Sequence, residues 1–576
     1  MTIDPQTQER IDYWRSEAFD SKTRQEVQAL LDNDDHTALV EAFYKELEFG
    51  TGGLRGIMGT GTNRVNRYTI GMATQGLANF LNKNYAGKRI SVVVAHDCRN
   101  HSDTLAKVTA DVFSANGIEV YFFQGLRPTP ELSYAIRHFG SQSGVMLTAS
   151  HNPKEYNGYK AYGDDGGQLV SPADKAVLTE VRQVTAEDVK FDGDDSLIHL
   201  IGAEVDEMYL EELTRLSLSP EAIRAQHDIS IVFSPIHGTG GVLVPDYLKK
   251  LGFTNIHLVQ EQMVVDGNFP TVIYPNPEEA EALAMAIKLA KDVDADLVMA
   301  TDPDADRVGI AIKNDRDQHI LLNGNQTAVL LFGYVLDRWS NGGRLAGSEY
   351  IVKTIVTTYL LDRIAESYGV DCYNTLTGFK HIGALMSANQ GAKSFIVGGE
   401  ESYGYLVGEH ARDKDAVVSC GMLAEMAAYY RNEGKSPYDA LLDTYVEHGL
   451  YQEKLVALTK KGKSGSEEIE QMISTFRNDP PKTLGDVDVV RIKDYQLQID
   501  HDLLTDEKSS IDLPVSNVLQ FFTADGSIVS ARPSGTEPKI KFYCSVHTTL
   551  DSKQEYAEKQ VLLHKRIEAI CADLGV

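Results

Sequence analysis

Short apolar segments alternate with amphipathic segments of helical length along most of this chain, and this alternation restricts the fold more than any single motif. The alternation runs through three rounds, the second starting near residue 200 and the third near residue 325. Strands that are separated by helices predict βαβ units and parallel sheets. After about residue 450 the chain becomes more charged and carries short strand segments before a final helix. The sequence therefore predicts three α/β modules of similar plan, followed by a smaller α+β domain.

The predicted elements can be given bounds. Helical spacing of charged and apolar residues runs over 12–48, and Ser171-Pro172 predicts a further helix start, with Ser171 as N-cap and Pro172 as first helical residue. Asn276-Pro277 predicts the cap of the helix at 277–291. The predicted strands are 89–95, 119–123, 144–149, 229–233, 255–259, 295–300, 350–356, 393–397, 487–492, 517–522 and 540–546. The other predicted helices are 102–115, 241–250, 326–338, 357–367, 416–433 and 551–573.

Length, charge and cysteine usage narrow the class of protein. A chain of 576 residues is too long for one core, so we expect about three to five domains. The net charge of −28 argues against nucleic acid and anionic membranes as partners, and it means that an anionic substrate needs a locally basic pocket. The five cysteines are scattered without a CxxC pair, which favours reduced thiols in a cytoplasmic protein. We also expect no signal peptide and no membrane-spanning segment.

Thr148-Ala149-Ser150-His151-Asn152-Pro153 is the first segment with chemical potential. It directly follows an apolar run that is predicted to be a buried strand, so the Ser150 hydroxyl is expected at the rim of a sheet, where α/β proteins bind ligands. A serine hydroxyl is a weak nucleophile without a neighbouring base or cation, and Lys160 in Asn157-Gly158-Tyr159-Lys160 supplies a candidate cation. A simple strand-to-turn junction is the alternative interpretation of this segment.

Asp302-Pro303-Asp304-Ala305-Asp306-Arg307 places three carboxylates within five residues. Carboxylates this close repel one another, and a bound cation relieves the repulsion. Ligands that are all oxygen favour Mg²⁺ or Ca²⁺. An EF-hand is excluded because Arg307 and Lys313 occupy the positions that require Gly and Glu. The segment therefore predicts a metal site, with a solvated acidic turn as the alternative.

Two further loops carry polar groups suited to a phosphosugar. Gly398-Gly399-Glu400-Glu401-Ser402-Tyr403-Gly404 follows a predicted strand and offers acceptors and a donor for sugar hydroxyls. Arg532-Pro533-Ser534-Gly535-Thr536-Glu537-Pro538 combines an arginine with hydroxyls and exposed backbone N–H groups, which suits a phosphate. A tight turn and a hairpin loop are the respective alternatives. Arg412-Asp413-Lys414-Asp415, just beyond the first of these loops, is interpreted as a charged loop.

Together these loops identify a resemblance to the α-D-phosphohexomutases, and most closely to their bacterial phosphoglucomutase branch. The resemblance covers roughly residues 45–576, with the signature loops in the expected order. It implies a heart-shaped molecule of three related α/β modules, with mixed and largely parallel sheets, and a smaller α+β domain, all meeting at one cleft. The expected domains are 1–200 with the phosphoserine loop, 201–322 with the metal loop, 323–450 with the sugar loop and 451–576 with the phosphate loop, residues 1–45 forming a helical extension.

The resemblance also implies roles for individual residues. Ser150 resembles the phosphoserine, and Asp302, Asp304 and Asp306 resemble the ligands of one Mg²⁺ per chain, with the phosphate on Ser150 as a further ligand. The catalytic residues implied besides Ser150 are Lys160, Arg55 in Thr51-Gly52-Gly53-Leu54-Arg55-Gly56, and Lys380 in Thr377-Gly378-Phe379-Lys380-His381. The substrate-binding residues implied are Glu400, Ser402, Arg412, Arg307, Arg532, Ser534, Gly535 and Thr536.

The implied reaction interconverts glucose 1-phosphate and glucose 6-phosphate through a phosphoserine enzyme. Glucose 1,6-bisphosphate is then both intermediate and activator, and it must turn over in a cleft that excludes water. This predicts a hinge near residues 445–465 that closes on substrate. We expect a monomer or dimer whose partner is a small phosphosugar.

Several alternatives stay open from the sequence. Phosphomannomutase, phosphopentomutase and sugar-1,6-bisphosphate synthase activities could use the same scaffold, because one axial hydroxyl is a small difference to predict from one loop. A phosphatase is disfavoured by the presence of two phosphate sites, and a non-catalytic binder by the intact Ser150 and aspartates. The general base in each direction could be Lys160, Lys380 or a nearby histidine.

Overall fold

A computed structural model of the chain describes residues 3–47, 53–460, 462–534 and 539–576. By their internal contacts, the residues fall into two compact units. The first unit contains residues 1–324 and 379–434, and the second contains 325–378 and 435–576. Each unit is described below by itself.

The described part of the chain alternates between helices and strands. Its α-helices are α1 Pro5–Trp14, α2 Ser21–Leu31, α3 Thr37–Phe43, α4 Arg67–Asn84, α5 Ser102–Ala115, α6 Thr129–Phe139, α7 Ala173–Val181, α8 Ala203–Thr214, α9 Pro220–Ala225, α10 Gly240–Leu251, α11 Gln260–Met263, α12 Ala280–Asp292, α13 Gly324–Asn341, α14 Leu360–Ser367, α15 Phe379–Asn389, α16 Ala416–Asn432, α17 Pro437–His448, α18 Gly462–Asn478 and α19 Tyr556–Leu574. Its strands are β1 Gly53–Ile57, β2 Ser91–His96, β3 Glu119–Phe123, β4 Ser143–Leu147, β5 Tyr156–Tyr162, β6 Ile198–Ile201, β7 Ile231–Ser234, β8 Ile256–Leu258, β9 Leu297–Thr301, β10 Val308–Lys313, β11 His319–Leu321, β12 Glu349–Thr354, β13 Asp371–Thr375, β14 Ser394–Gly399, β15 Tyr405–Val407, β16 Leu450–Thr459, β17 Thr483–Leu484, β18 Val487–Asp494, β19 Ile499–Asp502, β20 Lys508–Ser510, β21 Leu519–Thr523, β22 Ile528–Pro533 and β23 Lys539–Thr548.

The first sheet of the first unit has the order β1-β5-β4-β2-β3-β6. Strands β4, β2, β3 and β6 are parallel neighbours, whereas β5 pairs antiparallel with both β4 and β1. Successive side chains of β2 point to opposite faces, so Val92 and Val94 pack against α4 and α5 while Val93 and Ala95 join α6 and α8. The sheet is thus covered on both faces, and polar residues gather where its strands end.

The second sheet of the same unit repeats this plan with the order β11-β10-β9-β7-β8. Strands β7, β8 and β9 are parallel, and β10 returns antiparallel to β9. The return places the connection between β9 and β10 at the carboxyl end of β9. Further along the chain in this unit, β14 and β15 form an antiparallel pair that leads into α16. In each of these two sheets, a parallel strand is followed directly by an antiparallel neighbour. The loops that connect them, from β4 to β5 and from β9 to β10, lie at the carboxyl ends of β4 and β9.

The second unit contains the parallel pair β12 and β13 and an antiparallel sheet to which this pair does not belong. That sheet has the order β16-β23-β22-β21-β18-β19-β20, with β17 paired to β18. Its longest ladder joins all ten residues of β16 to β23. The hinge expected at 445–465 covers the end of α17, all of β16 and the start of α18. The chain passes from the first compact unit to the second between residues 434 and 435.

The predicted fold class is confirmed, and several predicted bounds are wrong. Strand β3 and helix α5 coincide with their predictions. The helix predicted from residue 277 begins at Ala280, because the Asn276 side chain accepts the Glu278 N–H in a turn instead of capping a helix. Helix α7 begins at Ala173 with Pro172 in the N-cap position, so Ser171 is not the cap. Strands β5 and β16 and helix α18 are regular elements that the sequence pattern does not predict.

Among the described helices, none is both long enough and apolar enough to cross a lipid bilayer.

The N-terminal extension forms three helices that pack on the first sheet's outer layer. Trp14 is 1% exposed and stacks on Phe19 with ring centroids 4.4 Å apart. Phe43 and Tyr68 meet the Trp14 ring edge-on, so the cluster joins α1 and α3 to α4. Tyr68 also donates a hydrogen bond to Asp20 at 2.9 Å. The extension is therefore an integral part of the first unit.

We expect Trp14→Ala to lower the free energy of unfolding by about 3–5 kcal/mol, because it removes a fully buried indole and leaves a cavity. The loss should be measured as a shift of the urea or thermal transition followed by circular dichroism. The control is Leu200→Ala, which removes a side chain that is 58% exposed and should change stability by no more than about 0.5 kcal/mol. Equal transitions for Trp14→Ala and Leu200→Ala would contradict the proposed packing role.

Candidate active site

Ser150 lies in the loop that leads from β4 into β5. The residue is 3% exposed, and its backbone adopts the left-handed region with φ +51°. Its N–H donates to Thr148 Oγ1 at 2.8 Å, which fixes the turn. The Ser150 hydroxyl donates to Asp302 Oδ2 at 2.9 Å and lies 3.1 Å from His151 Nδ1. The structure thus joins the serine loop to the acidic loop.

The three aspartates occupy the connection between β9 and β10. Asp302, Asp304 and Asp306 are each no more than 1% exposed. One oxygen from each carboxylate can be chosen so that the three lie within 4.8 Å of one another. Asp302 Oδ1 accepts the backbone N–H groups of Asp306 and Arg307 at 3.1 and 3.0 Å, so the loop curls around its own first carboxylate. This curl directs the other carboxylates to one point.

Two lysines neutralise the acidic cluster. Lys160, on β5, contacts Asp304 Oδ2 at 2.7 Å and Asp306 Oδ2 at 3.1 Å. Lys414 contacts Asp306 Oδ2 at 3.1 Å and its neighbour Asp413 at 2.9 Å. Burial would lower the pKa of both ammonium groups, but the carboxylates outweigh it and raise the pKa of each above its ordinary value. Both lysines are therefore cations at neutral pH.

Arg307 adds a third positive charge that is held in place by an acid from another loop. Its guanidinium donates to Glu278 Oε1 at 2.7 Å and lies 3.9 Å from Asp306 Oδ1. The side chain is 16% exposed. Glu278 lies two residues before α12, in the turn that Asn276 closes, which explains why that turn matters for the site.

The carboxylates differ in protonation behaviour. Burial, reinforced by Asp304 and Asp306, raises the pKa of Asp302 well above its ordinary value. Burial also acts to raise the pKa of Asp306, but Lys160, Lys414 and Arg307 outweigh it and lower that pKa. Burial lowers the pKa of His151 well below its ordinary value, and Arg307 adds to the effect. The ring beside Ser150 is thus neutral at neutral pH.

The donor set fits a hard divalent cation. Asp304 Oδ1 and Asp306 Oδ1 are buried and have no hydrogen-bond partner within the described residues. The lysines contact only the Oδ2 atoms of these two carboxylates, so the Oδ1 atoms stay available. Oxygen ligands of this kind suit Mg²⁺ or Ca²⁺. The cluster formed by Asp302, Asp304 and Asp306 could therefore bind a metal.

The predicted sugar loop lies directly after β14. Glu400 is 6% exposed, and its N–H donates to the Gly404 carbonyl at 2.9 Å to close the turn. Its carboxylate raises the pKa of both Arg307 and Lys414, which places its charge in the same neighbourhood. The Tyr403 carbonyl accepts the Val308 N–H at 2.9 Å and so ties this loop to the metal loop. Ser402 is half-buried beside it.

The other predicted residues of the first unit lie at varying distances from the acidic cluster. The exposed Arg55 side chain donates to Asn152 Oδ1 at 3.3 Å, next to the serine loop; Thr51 and Gly52 of its motif lie outside the described residues. Arg412 is 1% exposed and donates to the carbonyls of Glu409 and Ala411. Burial lowers the pKa of Lys380, and Asp174 partly offsets the effect. Arg412 thus supports its own loop.

The phosphate loop belongs to the second unit. Arg532 lies near the end of β22, opposite Lys541 of β23. The Ser534 N–H donates to the Lys539 carbonyl at 2.7 Å, next to the antiparallel hairpin pairing of β22 with β23. Gly535 and Thr536 lie outside the described residues.

Three contributors to the site are not predicted from the sequence. Lys414 belongs to a segment interpreted as a charged loop, although a lysine between two aspartates just beyond the sugar loop is a usable signal. Glu278 gave no signal, because its partner Arg307 is 29 residues away in the chain. Thr129 donates from its N–H to the Asp304 carbonyl and from its hydroxyl to Asp304 Oδ2, both at 2.9 Å. Its place after Arg127-Pro128 resembles an ordinary helix start.

Comparison with known proteins places this arrangement among phosphosugar enzymes. Four family descriptions match in order: phosphoglucomutase/phosphomannomutase α/β/α domain I at residues 46–188, domain II at 207–315, domain III at 323–447 and the C-terminal domain at 484–562. A phosphoglucomutase of Staphylococcus haemolyticus is 34% identical over 526 residues, which cover 90% of this chain and 94% of that protein. A phosphoglucomutase of Staphylococcus epidermidis is 36% identical over 517 residues, covering 88% of this chain and 92% of that protein.

A solved structure shares the fold. The exocytosis-sensitive phosphoprotein pp63/parafusin of Paramecium, described as a phosphoglucomutase, superposes with a TM-score of 0.67 at 19% identity, covering 92% of this chain and 96% of that one. From the domain matches and the identity to the staphylococcal proteins, the chain belongs to the phosphoglucomutase/phosphomannomutase family.

Proposed function

We propose that this chain is a phosphoglucomutase that interconverts α-D-glucose 1-phosphate and glucose 6-phosphate through a phosphoserine at Ser150. The observation that carries the proposal is the 2.9 Å contact between the Ser150 hydroxyl and Asp302 of the buried acidic cluster. A hydroxyl that touches a cation-binding cluster suits phosphoryl transfer, where positioning and charge neutralisation supply most of the catalysis. The names of the staphylococcal relatives support glucose as the sugar.

Asp302, Asp304 and Asp306 would hold one Mg²⁺ through one carboxylate oxygen each, and the Oδ1 atoms of Asp304 and Asp306 have no hydrogen-bond partner among the described residues. When bound, the ion would withdraw negative charge from the phosphoryl group on Ser150. The chain's own residues position the site. Lys160 and Lys414 hold the acidic loop in one geometry, and Arg307 places a positive charge on a partly exposed side chain beside it. Partial burial of the serine loop limits the access of water to the phosphoserine.

The proton that a substrate hydroxyl releases on attack needs an acceptor near Ser150. Lys160 is a firmly charged cation in this structure, held between two carboxylates. His151 Nδ1 lies 3.1 Å from the serine oxygen, but burial and Arg307 lower the pKa of the ring well below its ordinary value, so the ring is a weak proton acceptor. We propose that Lys160 stabilises charge during the transfer, and that His151 contacts the serine oxygen as a neutral hydrogen-bond partner.

The second phosphate of the intermediate needs a site that binds without reacting. Arg532 and Ser534 supply a guanidinium and a hydroxyl on a hairpin, and we propose that they hold this phosphate together with Gly535 and Thr536. Glu400 and Ser402 are proposed to contact the sugar hydroxyls. We also keep as predictions that the enzyme works in the cytoplasm, where its five free cysteines stay reduced, and that it is a monomer or dimer.

Substrate choice is tested with a panel of glucose, mannose, glucosamine and ribose 1-phosphates, compared by kcat/KM with Mg²⁺ and a trace of hexose 1,6-bisphosphate. The proposal expects glucose 1-phosphate to rank first. Release of inorganic phosphate would indicate a phosphatase instead, and binding without turnover would indicate a binding protein. A first rank for mannose or ribose would assign the other mutase activities.

Ser150→Ala should lower mutase turnover by at least about 10³-fold, because among the described residues no other side-chain hydroxyl is hydrogen-bonded to Asp302. Initial rates of glucose 6-phosphate formation measure the effect. Ser143→Ala is the matched control, since it removes another buried serine hydroxyl at the opposite end of β4. A near wild-type rate in Ser150→Ala would refute the nucleophile assignment.

Chelation should abolish activity, and added Mg²⁺ should restore it with a stoichiometry of about one ion per chain. Asp304→Asn should weaken Mg²⁺ binding by at least about 10-fold in calorimetric titration, because it removes one charged ligand. Asp317→Asn is the control, since Asp317 is exposed in the turn after β10. Equal Mg²⁺ affinity in the wild type and Asp304→Asn would place the ion elsewhere.

Arg532→Ala should raise KM for the phosphosugar by about 10-fold or more while kcat changes little, because Arg532 is proposed to bind the phosphate that does not react. Steady-state kinetics separates the two constants. Arg491→Ala serves as control, because that arginine belongs to the same sheet and pairs with Asp500. An unchanged KM in Arg532→Ala would remove the holding role.

A further inference from the structure

The serine loop has few backbone hydrogen bonds of its own. Between the end of β4 and the start of β5, the described internal bonds are Asn152 N–H to the Ala149 carbonyl and Tyr156 N–H to the Pro153 carbonyl, both at 3.1 Å. Buried carbonyls without partners are costly, so the loop needs donors from elsewhere. The positive φ of Ser150 makes this need greater, because a serine adopts that region only when its surroundings enforce it.

One buried arginine supplies these donors. Arg99, just after β2, donates through Nη1 to the carbonyls of Pro153 at 2.8 Å and Tyr156 at 2.9 Å. Through Nη2 it donates to the Ser150 carbonyl at 2.7 Å and to the Asn152 carbonyl. Four carbonyls, three in the loop and one at the first residue of β5, thus accept hydrogen bonds from the guanidinium of Arg99. The Arg99 side chain is 0% exposed.

Arg99 is itself held in place on two sides. Asp97 Oδ2 lies 3.3 Å from Arg99 Nε, and the Asp97 side chain is also fully buried. Asp97 further accepts hydrogen bonds from the Ser102 hydroxyl at 2.8 Å and the Thr148 hydroxyl at 2.7 Å. The Phe269 ring covers the guanidinium at 5.1 Å. The Thr148 hydroxyl oxygen also accepts a hydrogen bond from the Ser150 N–H. Asp97 therefore fixes the N–H side of Ser150 through Thr148, and Arg99 fixes its carbonyl.

We propose that Arg99, held by Asp97, is the positioning residue that fixes the main chain of Ser150 so that its hydroxyl stays aimed at the acidic cluster. This inference rests on the proposed role of Ser150 as phosphoryl acceptor. Arg99 does not touch the reacting atoms, and it acts through the backbone of the loop. Only arginine suits the position, because its planar fork directs four N–H groups at four carbonyls, whereas a lysine offers three donors on one atom.

The two roles that Arg99 could have give different kinetics. A purely structural residue would lower the amount or the thermal stability of folded enzyme and leave the rate per folded molecule unchanged. A positioning residue lowers the rate of phosphoryl transfer itself, because small misplacements of a nucleophile are costly, and it leaves the KM for the sugar phosphate nearly unchanged.

The test is single-turnover labelling of the full chain by glucose 1,6-bisphosphate that carries radioactive phosphate, with Mg²⁺ present. In this step the sugar O–P bond breaks while the Ser150 Oγ–P bond forms, and the proton of the Ser150 hydroxyl passes to the released sugar oxygen, which becomes a hydroxyl. We expect Arg99→Lys to label about 100-fold more slowly than wild type, with KM changed by less than about threefold. Circular dichroism and the thermal transition report the folded fraction in the same samples.

Arg477→Lys is the matched control, since Arg477 donates to Asp494 and Asn517 at 2.8 Å in the second unit and should label at the wild-type rate. If Arg99→Lys does not fold, the nearly isosteric Asp97→Asn tests the same grip, and we expect it to label about 10-fold more slowly. Labelling within twofold of wild type by the folded Arg99→Lys, or by Asp97→Asn in its place, overturns the inference. Failure of the wild type to label at Ser150 would instead overturn the proposed function.

Discussion

The negative charge of the three aspartates between β9 and β10 determines how the other residues of the candidate active site are arranged. Three carboxylates that are each at most 1% exposed cannot all be ionised in a low-dielectric environment without nearby cations. The chain answers with Lys160 from β5, Lys414 from the loop before α16, and Arg307 from the acidic loop itself. Each cation comes from a different element, so neutralising the cluster fixes those elements relative to one another. The same grouping brings Ser150 to Asp302.

The lysines also explain why the cluster can accept a metal without first losing its protein partners. Lys160 and Lys414 contact the Oδ2 atoms of Asp304 and Asp306, whereas the Oδ1 atoms of both have no hydrogen-bond partner among the described residues. A cation bound at the Oδ1 side would leave the lysine ion pairs in place. Such an arrangement would lower the reorganisation that metal binding requires.

Much of the site could be predicted from the sequence because its signals are local. The Asp triad lies within five residues, and the Ser150 segment follows an apolar strand, so spacing alone indicates their chemistry. Glu278, Thr129 and Arg99 could not be predicted in this way. Their partners are distant in the chain: Arg307 is 29 residues from Glu278, and Asp304 is 175 residues from Thr129. Only the fold brings such pairs together. Strand β5 is not predicted because its polar residues hide the apolar alternation on which strand prediction depends.

The position of Arg99 shows why such distant pairs matter for function. Ser150 has a backbone conformation that is unfavourable for a serine, and the energy that holds it there must come from neighbouring contacts. A flexible loop would satisfy its carbonyls with water and would let the hydroxyl sample many directions. A buried guanidinium that binds four carbonyls removes both freedoms, since each donor is lost if the loop moves. The acidic cluster therefore fixes where the hydroxyl must arrive, and the arginine fixes the direction from which it arrives.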